Sequence, residues 1–300
     1  MTNPAQLIRS QLQDLKAIWS IYAEITKLRL TLLVLFSAIV GFLFGHQGPA
    51  FPWLTFFNMI LGTYAVASGA AALNQLVEHQ ADARMTRTKG RPLPTQRWEK
   101  RDALALGTFL SGGGLAYLIV GVNLTSALVA AVTLVVYIAI YTPLKRLTSW
   151  NTLVGAIPGA LPPLIGWSAV RSDWTWDAWA LFGILFFWQM PHFLAIAWLY
   201  REDYARGGFK MLTLEDKTGR STAIKSCLYA TLLIPVSLIP YFTGSAGWIY
   251  LVAACVLGSS YLGCAVRCVR NPDKKHTRTL FLASLLYLPC VQIILLLDKQ

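Results

Sequence analysis

Charge is scarce in this sequence, and acid is scarcer than base. Only 13% of its 300 residues are charged, and 14 Asp and Glu stand against 26 Lys and Arg. A soluble domain typically carries about 25% charged residues, so an ordinary water-soluble globule is excluded. Cysteine is absent from the first 226 residues. Cys227, Cys255, Cys264, Cys268 and Cys290 follow, mostly inside apolar runs. Cys264 and Cys268 are four apart, but no further Cys or His pair completes a zinc pattern. They read as small core residues, because buried thiols pack as hydrophobes. Low-complexity tracts, a strong internal repeat and a separate soluble region are all lacking, so residues 1–300 read as one domain. Residues 1–27 carry Asp14 and Glu24 and have no early apolar core. That is the pattern of neither a signal peptide nor an Arg-rich transit peptide, and an interfacial helix is expected there.

What the chain has in abundance is apolar sequence. Hydrophobic residues make up 55% and the mean hydropathy is +0.51. Apolar runs recur along the whole length and predict nine spans, at 30–46, 52–77, 103–121, 123–142, 151–170, 178–200, 222–242, 247–266 and 279–297. Each is near the ~20 residues that cross a hydrocarbon core of ~30 Å. An all-α membrane bundle of nine helices is therefore expected. With the N-terminus inside, one side of the membrane receives 24 of the 26 Lys and Arg, and only Arg171 and Lys299 fall on the other. The positive-inside rule expects such a bias, which fixes the expected orientation as N-in and C-out. The net charge of +12 is thus a topology signal and not a nucleic-acid signal. Trp150, Trp167, Trp174, Trp176, Trp179 and Trp248 lie near span ends, as interface anchors do.

Polar chemistry is concentrated where spans meet the basic side. Asn74, Glu78 and Asp82 stand at four-residue steps and fall on one helix face over two turns. Arg84, Arg87, Lys89 and Arg91 follow at once. Acids able to hold a divalent cation, backed by cations able to hold phosphate, describe a diphosphate site. A solvated loop that merely enforces topology would also be charged. Asn74, however, sits inside the apolar run, where a polar group is costly and marks function.

A second loop, 201–225, leaves the sixth span and contains Asp203 and Tyr204. That span holds Trp188, Gln189, Pro191 and His192. If the helix runs through to residue 203, His192 and Asp203 are eleven residues apart and share a face. Pro191 is expected to kink the helix beside the histidine. A lone membrane histidine can also do no more than bond a neighbouring helix, and that alternative stays open. A third loop carries Tyr141, Lys145 and Arg146.

These blocks resemble the UbiA superfamily of intramembrane prenyltransferases. Asn74, Glu78 and Asp82 match its first motif, an Asn followed by two acids at four-residue steps. Met85-Thr86-Arg87-Thr88, Arg91-Pro92, Tyr141 to Arg146, Asn151 with Gly155, Gly159 to Trp167, Trp188 to Phe193, and Asp203-Tyr204 before Met211-Leu212 are similar to its haem-farnesylating branch. Two positions depart from the wider pattern. Residue 78 is Glu where many members have Asp, and the second acidic pair is reduced to Asp203 because residue 199 is Leu.

The resemblance implies an integral protein of the bacterial inner membrane, with a cytoplasm-facing apolar cavity. It implies transfer of a farnesyl group from farnesyl diphosphate to a vinyl group of haem b with addition of water, giving haem O. Haem b is then a substrate and not a resident cofactor. Mg²⁺ would be held by Asn74, Glu78, Asp82 and Asp203, the catalytic set, and diphosphate by Arg87, Arg91, Lys145, Arg146 and Tyr141. His192, Gln189 and Trp188 would contact the haem. A haem A synthase or a terminal-oxidase assembly is the implied neighbour, and the lipid bilayer the implied surroundings.

Two other classes compete. An aromatic prenyltransferase acting on 4-hydroxybenzoate would share the donor site but keep the fuller second acidic pair. A transporter would place ionisable residues near the midplane of related repeats, whereas here they crowd one face.

Overall fold

The computed structural model describes residues 4–300, with side chains from Leu15 onward. The side chains of residues 1–14, half of the segment expected to be interfacial, lie outside the described residues. Among the described residues every regular element is helical, apart from one isolated bridge between Ala246 and Lys299. The helices are α1 (Pro4–Ile25), α2 (Leu28–Gly45), α3 (Trp53–Asp82), α4 (Lys100–Gly121) and α5 (Leu124–Val135). A π-helical turn, Val136–Tyr141, joins α5 to α6 (Thr142–Leu147). Then come α7 (Asn151–Ala160), α8 (Pro162–Ser168), α9 (Trp176–Leu199), α10 (Arg201–Arg206) and α11 (Leu212–Glu215). The chain closes with α12 (Arg220–Phe242), α13 (Trp248–Arg270) and α14 (Lys274–Leu297).

Eight of these helical segments are long and apolar enough to cross a membrane, counting Leu124–Leu147 as one. The expected span at 151–170 is two short helices, α7 of 10 residues and α8 of 7. Proline explains the break. Pro158 stands inside α7, and Pro162 and Pro163 open α8, so ladder hydrogen bonds are lost at successive turns. The expected passage from the sixth span to residue 203 is also interrupted. α9 stops at Leu199, and Tyr200 has φ −112° and ψ 25°, outside the helical range.

The bundle closes on itself. α3 packs on α4, α9 on α7, α12 and α14, α13 on α12 and α14, and α14 reaches back to α2. α2 and α8 cross closely enough that a Cβ on Gly41 would overlap the Pro163 carbonyl, and one on Gly166 the Ala38 carbonyl. The core runs from Val40 and Phe44 through Leu164, Trp167, Leu181 and Ile184 to Tyr250, Tyr261 and Tyr287. Large apolar side chains such as Leu54, Phe109, Val120, Phe242 and Leu286 face outward. An outer surface of this kind belongs against lipid.

Candidate active site

The C-terminal turns of α3 carry the site. Asn74, Glu78 and Asp82 are all buried on its inner face, as their spacing requires. Each is engaged by another element. Asn74 Oδ1 accepts from Lys27 Nζ at 2.7 Å, and its Nδ2 donates to Thr142 Oγ1 at 3.1 Å. Glu78 Oε1 pairs with Lys145 Nζ at 2.7 Å. Asp82 Oδ2 pairs with Arg91 Nη1 at 2.7 Å. Lys145 also lies over the Tyr141 ring, 4.4 Å from its centre. A ring face attracts a cation and steers the ammonium toward Glu78.

Lys27 escapes sequence reasoning. It is one of four cations in the first 29 residues and stands 47 positions before Asn74. Its left-handed backbone, φ 49° and ψ 49°, turns α1 into α2 and sends the ammonium into the network. Desolvation lowers its pKa to about 7; Arg91 and Lys145 add to the shift, while Glu78 and Asp82 oppose it.

Asp203 does something the spacing did not suggest. Oδ1 accepts from the Thr86 N–H at 3.0 Å and Oδ2 from the Arg87 N–H at 3.1 Å, while Arg206 pairs with the same carboxylate. Burial pushes this carboxyl up, but Arg206 and the two backbone N–H groups outweigh it and hold it at about 2. The carboxylate clamps the loop that follows α3. Arg87 itself stacks over Tyr200 and Tyr204. Among the described residues, no three His, Cys, Asp or Glu side chains are grouped closely enough to hold a metal. Of the expected four-residue set, Asn74, Glu78 and Asp82 share the inner face of α3, while the Asp203 carboxylate meets the loop after α3 and Arg206. Arg146 is exposed on α6 beside Lys145.

Next to this network lies an apolar cavity of about 270 Å³. Thr31 and Val34 of α2, Val66, Ala67, Ala70 and Ala71 of α3, Tyr137 and Tyr141, Gly155, Pro158 and Gly159 of α7, and Phe193 line it. Tyr141 thus touches both the cavity and the ammonium of Lys145. Gly155 must lack a side chain, because a Cβ there would overlap the Tyr141 ring.

The three residues expected to meet the acceptor are divided. Gln189 is buried and donates to the Ala156 carbonyl at 2.6 Å, against α7. Trp188 donates to the Ser284 carbonyl at 2.7 Å, and His192 Nδ1 meets Ser284 Oγ at 2.7 Å, both on α14. His192 and Asp203 do not share a face, since the helix ends between them. Phe193, not His192, reaches the cavity.

Fold and site together define a multi-pass membrane protein with buried acid–cation pairs beside an apolar cavity. The model of the UbiA prenyltransferase family matches residues 34–288, and the chain belongs to that family. The protoheme IX farnesyltransferase of Solibacter usitatus (strain Ellin6076) is 47% identical over 287 residues, covering 93% of this chain and 98% of that protein. Among solved structures, one of a digeranylgeranylglyceryl phosphate synthase superposes with a TM-score of 0.78 at 14% identity, covering 93% of this chain and 98% of that one. A UbiA homologue from Archaeoglobus fulgidus bound to DMAPP and Mg2+ superposes with a TM-score of 0.62 at 12% identity, covering 92% and 98%. At these identities the two structures speak for the fold alone.

Proposed function

We propose that this chain is a protohaem IX farnesyltransferase, moving the farnesyl group of farnesyl diphosphate onto a vinyl group of haem b. One observation carries the reading: the buried Glu78–Lys145 and Asp82–Arg91 pairs stand beside an apolar cavity. The 47% identity to a protein of that name supports the choice of substrates. The basic side, with the cavity mouth, is cytoplasmic, the N-terminus is inside, and the bacterial inner membrane is the setting. α7 and α8 together act as the ninth span of a single domain.

The residues present fit a magnesium ion. Asp82 Oδ1 and Gln75 Oε1 are buried without a hydrogen-bond partner, and Glu78 engages only Oε1. Such hard oxygen donors suit Mg²⁺. Asn74, Glu78 and Asp82 would hold it, with Asp203 one step behind, fixing the loop that carries Arg87 and Arg91. When bound, the ion supplies Lewis-acid charge to a leaving diphosphate.

The chain's own groups do the rest. The bond from farnesyl C1 to oxygen breaks and its electron pair leaves on diphosphate, whose charge Lys27, Lys145, Arg91 and Arg146 neutralise. The walls contributed by Val34, Ala67, Ala71 and Pro158 keep water from the allylic cation. The vinyl π pair then bonds to C1, and water adds its oxygen to the carbon beside the haem ring and loses a proton. No covalent link to the enzyme forms, so positioning carries much of the acceleration.

Pigment extraction from membranes that express the chain tests this reading. Conversion of haem b to a more hydrophobic haem, heavier by a farnesyl group and a hydroxyl, is expected. Unchanged haem alongside prenylated 4-hydroxybenzoate overturns it.

A further inference from the structure

The cavity has a definite depth, and α3 measures it. Thr63, Ala67, Ala70 and Asn74 stand at steps of four, three and four, so they keep to one face of the helix. The first three line the cavity, and Asn74 belongs to the charged network above it. Eleven residues separate Asn74 from Thr63, which is about 16 Å along the axis.

Beyond Thr63 the way is closed. The next residue on that face, Met59, is fully buried in a cluster with Ala38 and Phe42. Phe42 is braced in turn by Phe51 and Phe56, with ring centroids 5.7 and 5.1 Å away. Gly166 abuts the Ala38 carbonyl, so its neighbour Ile165 brings α8 to the same end. Ser126 of α5 donates to the Ile165 carbonyl at 3.0 Å. Ile165 and Ala130, one turn along α5 from Ser126, both line the cavity. Three helices thus form its floor around Thr63.

A farnesyl tail fits this depth. Its main chain has eleven C–C bonds, each advancing an extended chain by about 1.3 Å, so C1 and C12 are about 14 Å apart. On the same count geranyl reaches about 9 Å and geranylgeranyl about 19 Å. With diphosphate in the charged network, C1 starts near Asn74. A geranyl tail then stops near Ala67, a farnesyl tail reaches Thr63, and a geranylgeranyl tail has to displace Met59.

We infer that Thr63, backed by the floor of Met59 and Phe42, sets the length of prenyl chain the cavity accepts and selects farnesyl over longer chains. This rests on a prenyl diphosphate being the donor. Thr63 acts through its volume. Its hydroxyl is buried without a hydrogen-bond partner, whereas the cavity threonines Thr31 and Thr133 donate to the Thr26 and Val129 carbonyls. Replacing Thr63 therefore breaks no hydrogen bond, and a larger side chain there intrudes only on the last isoprene unit.

Titration of geranyl, farnesyl and geranylgeranyl diphosphates, each with Mg²⁺, into the protein in lipid nanodiscs tests this. Wild type is expected to bind farnesyl diphosphate tightest, with geranylgeranyl diphosphate about tenfold or more weaker. Thr63→Leu is expected to weaken farnesyl diphosphate about tenfold or more while geranyl diphosphate holds its affinity. Ala130→Val, which narrows the floor from α5, should shift the preference in the same direction. Ala70→Leu, one turn from Asn74, should weaken all three, since every tail passes it. Unchanged farnesyl affinity, or equal loss of geranyl and farnesyl diphosphates, in both Thr63→Leu and Ala130→Val overturns the inference and leaves the donor site standing. So does a wild-type protein that binds geranylgeranyl diphosphate as tightly as farnesyl diphosphate. Failure of the wild type to bind any of the three overturns both readings.

Discussion

A carboxylate that meets two backbone N–H groups and an arginine holds the chain it touches, and Asp203 does this to the loop after α3. Its pKa, about 2, lies below the ordinary 3.8. A depressed carboxylate stabilises above its unfolded pKa, and that contribution fades as pH falls through the folded value. At neutral pH the clamp is fully engaged. Asp203→Asn is expected to speed tryptic cleavage at Arg84, Arg87 and Lys89, without added metal, and to lower activity. Unchanged cleavage with lost activity would return Asp203 to the role of a simple metal ligand. The four-residue step of Asn74, Glu78 and Asp82 made their shared face legible, because helical geometry alone dictates it. Lys27 was not legible, because one left-handed residue between α1 and α2 aims it. The partners of His192 were half legible: a bond to a neighbouring helix was one of the readings, but which helix depends on packing.

Among the elements, the long apolar runs announced themselves by length, and the eight long helical segments lie where the runs do. The run at 151–170 has the length of a span, yet Pro158, Pro162 and Pro163 divide it. Hydropathy sums over residues and does not register lost backbone donors. The division has a use, since α7 places Gly155 against Tyr141 and Pro158 and Gly159 along the cavity. α8 in turn presses on α2 through Gly166 and Gly41. At Gly166 the obstacle is a backbone carbonyl, which cannot rotate away as a side chain does. Gly166→Val is expected to cost about 3 kcal/mol, at the upper end for overpacking. Gly263, with open space where a Cβ would go, serves as the control. Gly263→Ala should stay within about 0.5 kcal/mol of wild type. Thermal unfolding in detergent, followed by tryptophan fluorescence, compares the two. Equal midpoints would mean that the α2–α8 crossing is looser than described.

At the scale of the whole molecule, the three motif loops meet at one end. The Thr86 and Arg87 N–H groups reach Asp203, the Lys210 N–H donates to the Lys145 carbonyl at 2.6 Å, and Asn151 Nδ2 donates to the Lys210 carbonyl at 2.7 Å. The other end holds the two outlying cations. Lys299 donates to the carbonyls of Leu43 and His46 where α2 finishes, and Arg171 pairs with Asp173. The three motif loops and the two outlying cations thus lie at opposite ends of the bundle. Impermeant thiol reagents applied to intact cells test its direction in a background without native cysteines. Gly90→Cys and Glu215→Cys should stay unlabelled and Asp173→Cys should label. Labelling at 90 or 215 would invert the orientation.

The assignment of the α3 network as one magnesium–diphosphate site is tested most directly by titrating farnesyl diphosphate into the protein in nanodiscs, with and without Mg²⁺. Wild type is expected to bind only with the ion. Asp82→Ala, folded by circular dichroism, should bind about 10–100-fold more weakly even with Mg²⁺, the loss that follows removal of a charged contact. Equal affinity with and without the ion, unchanged in Asp82→Ala, would contradict the assignment.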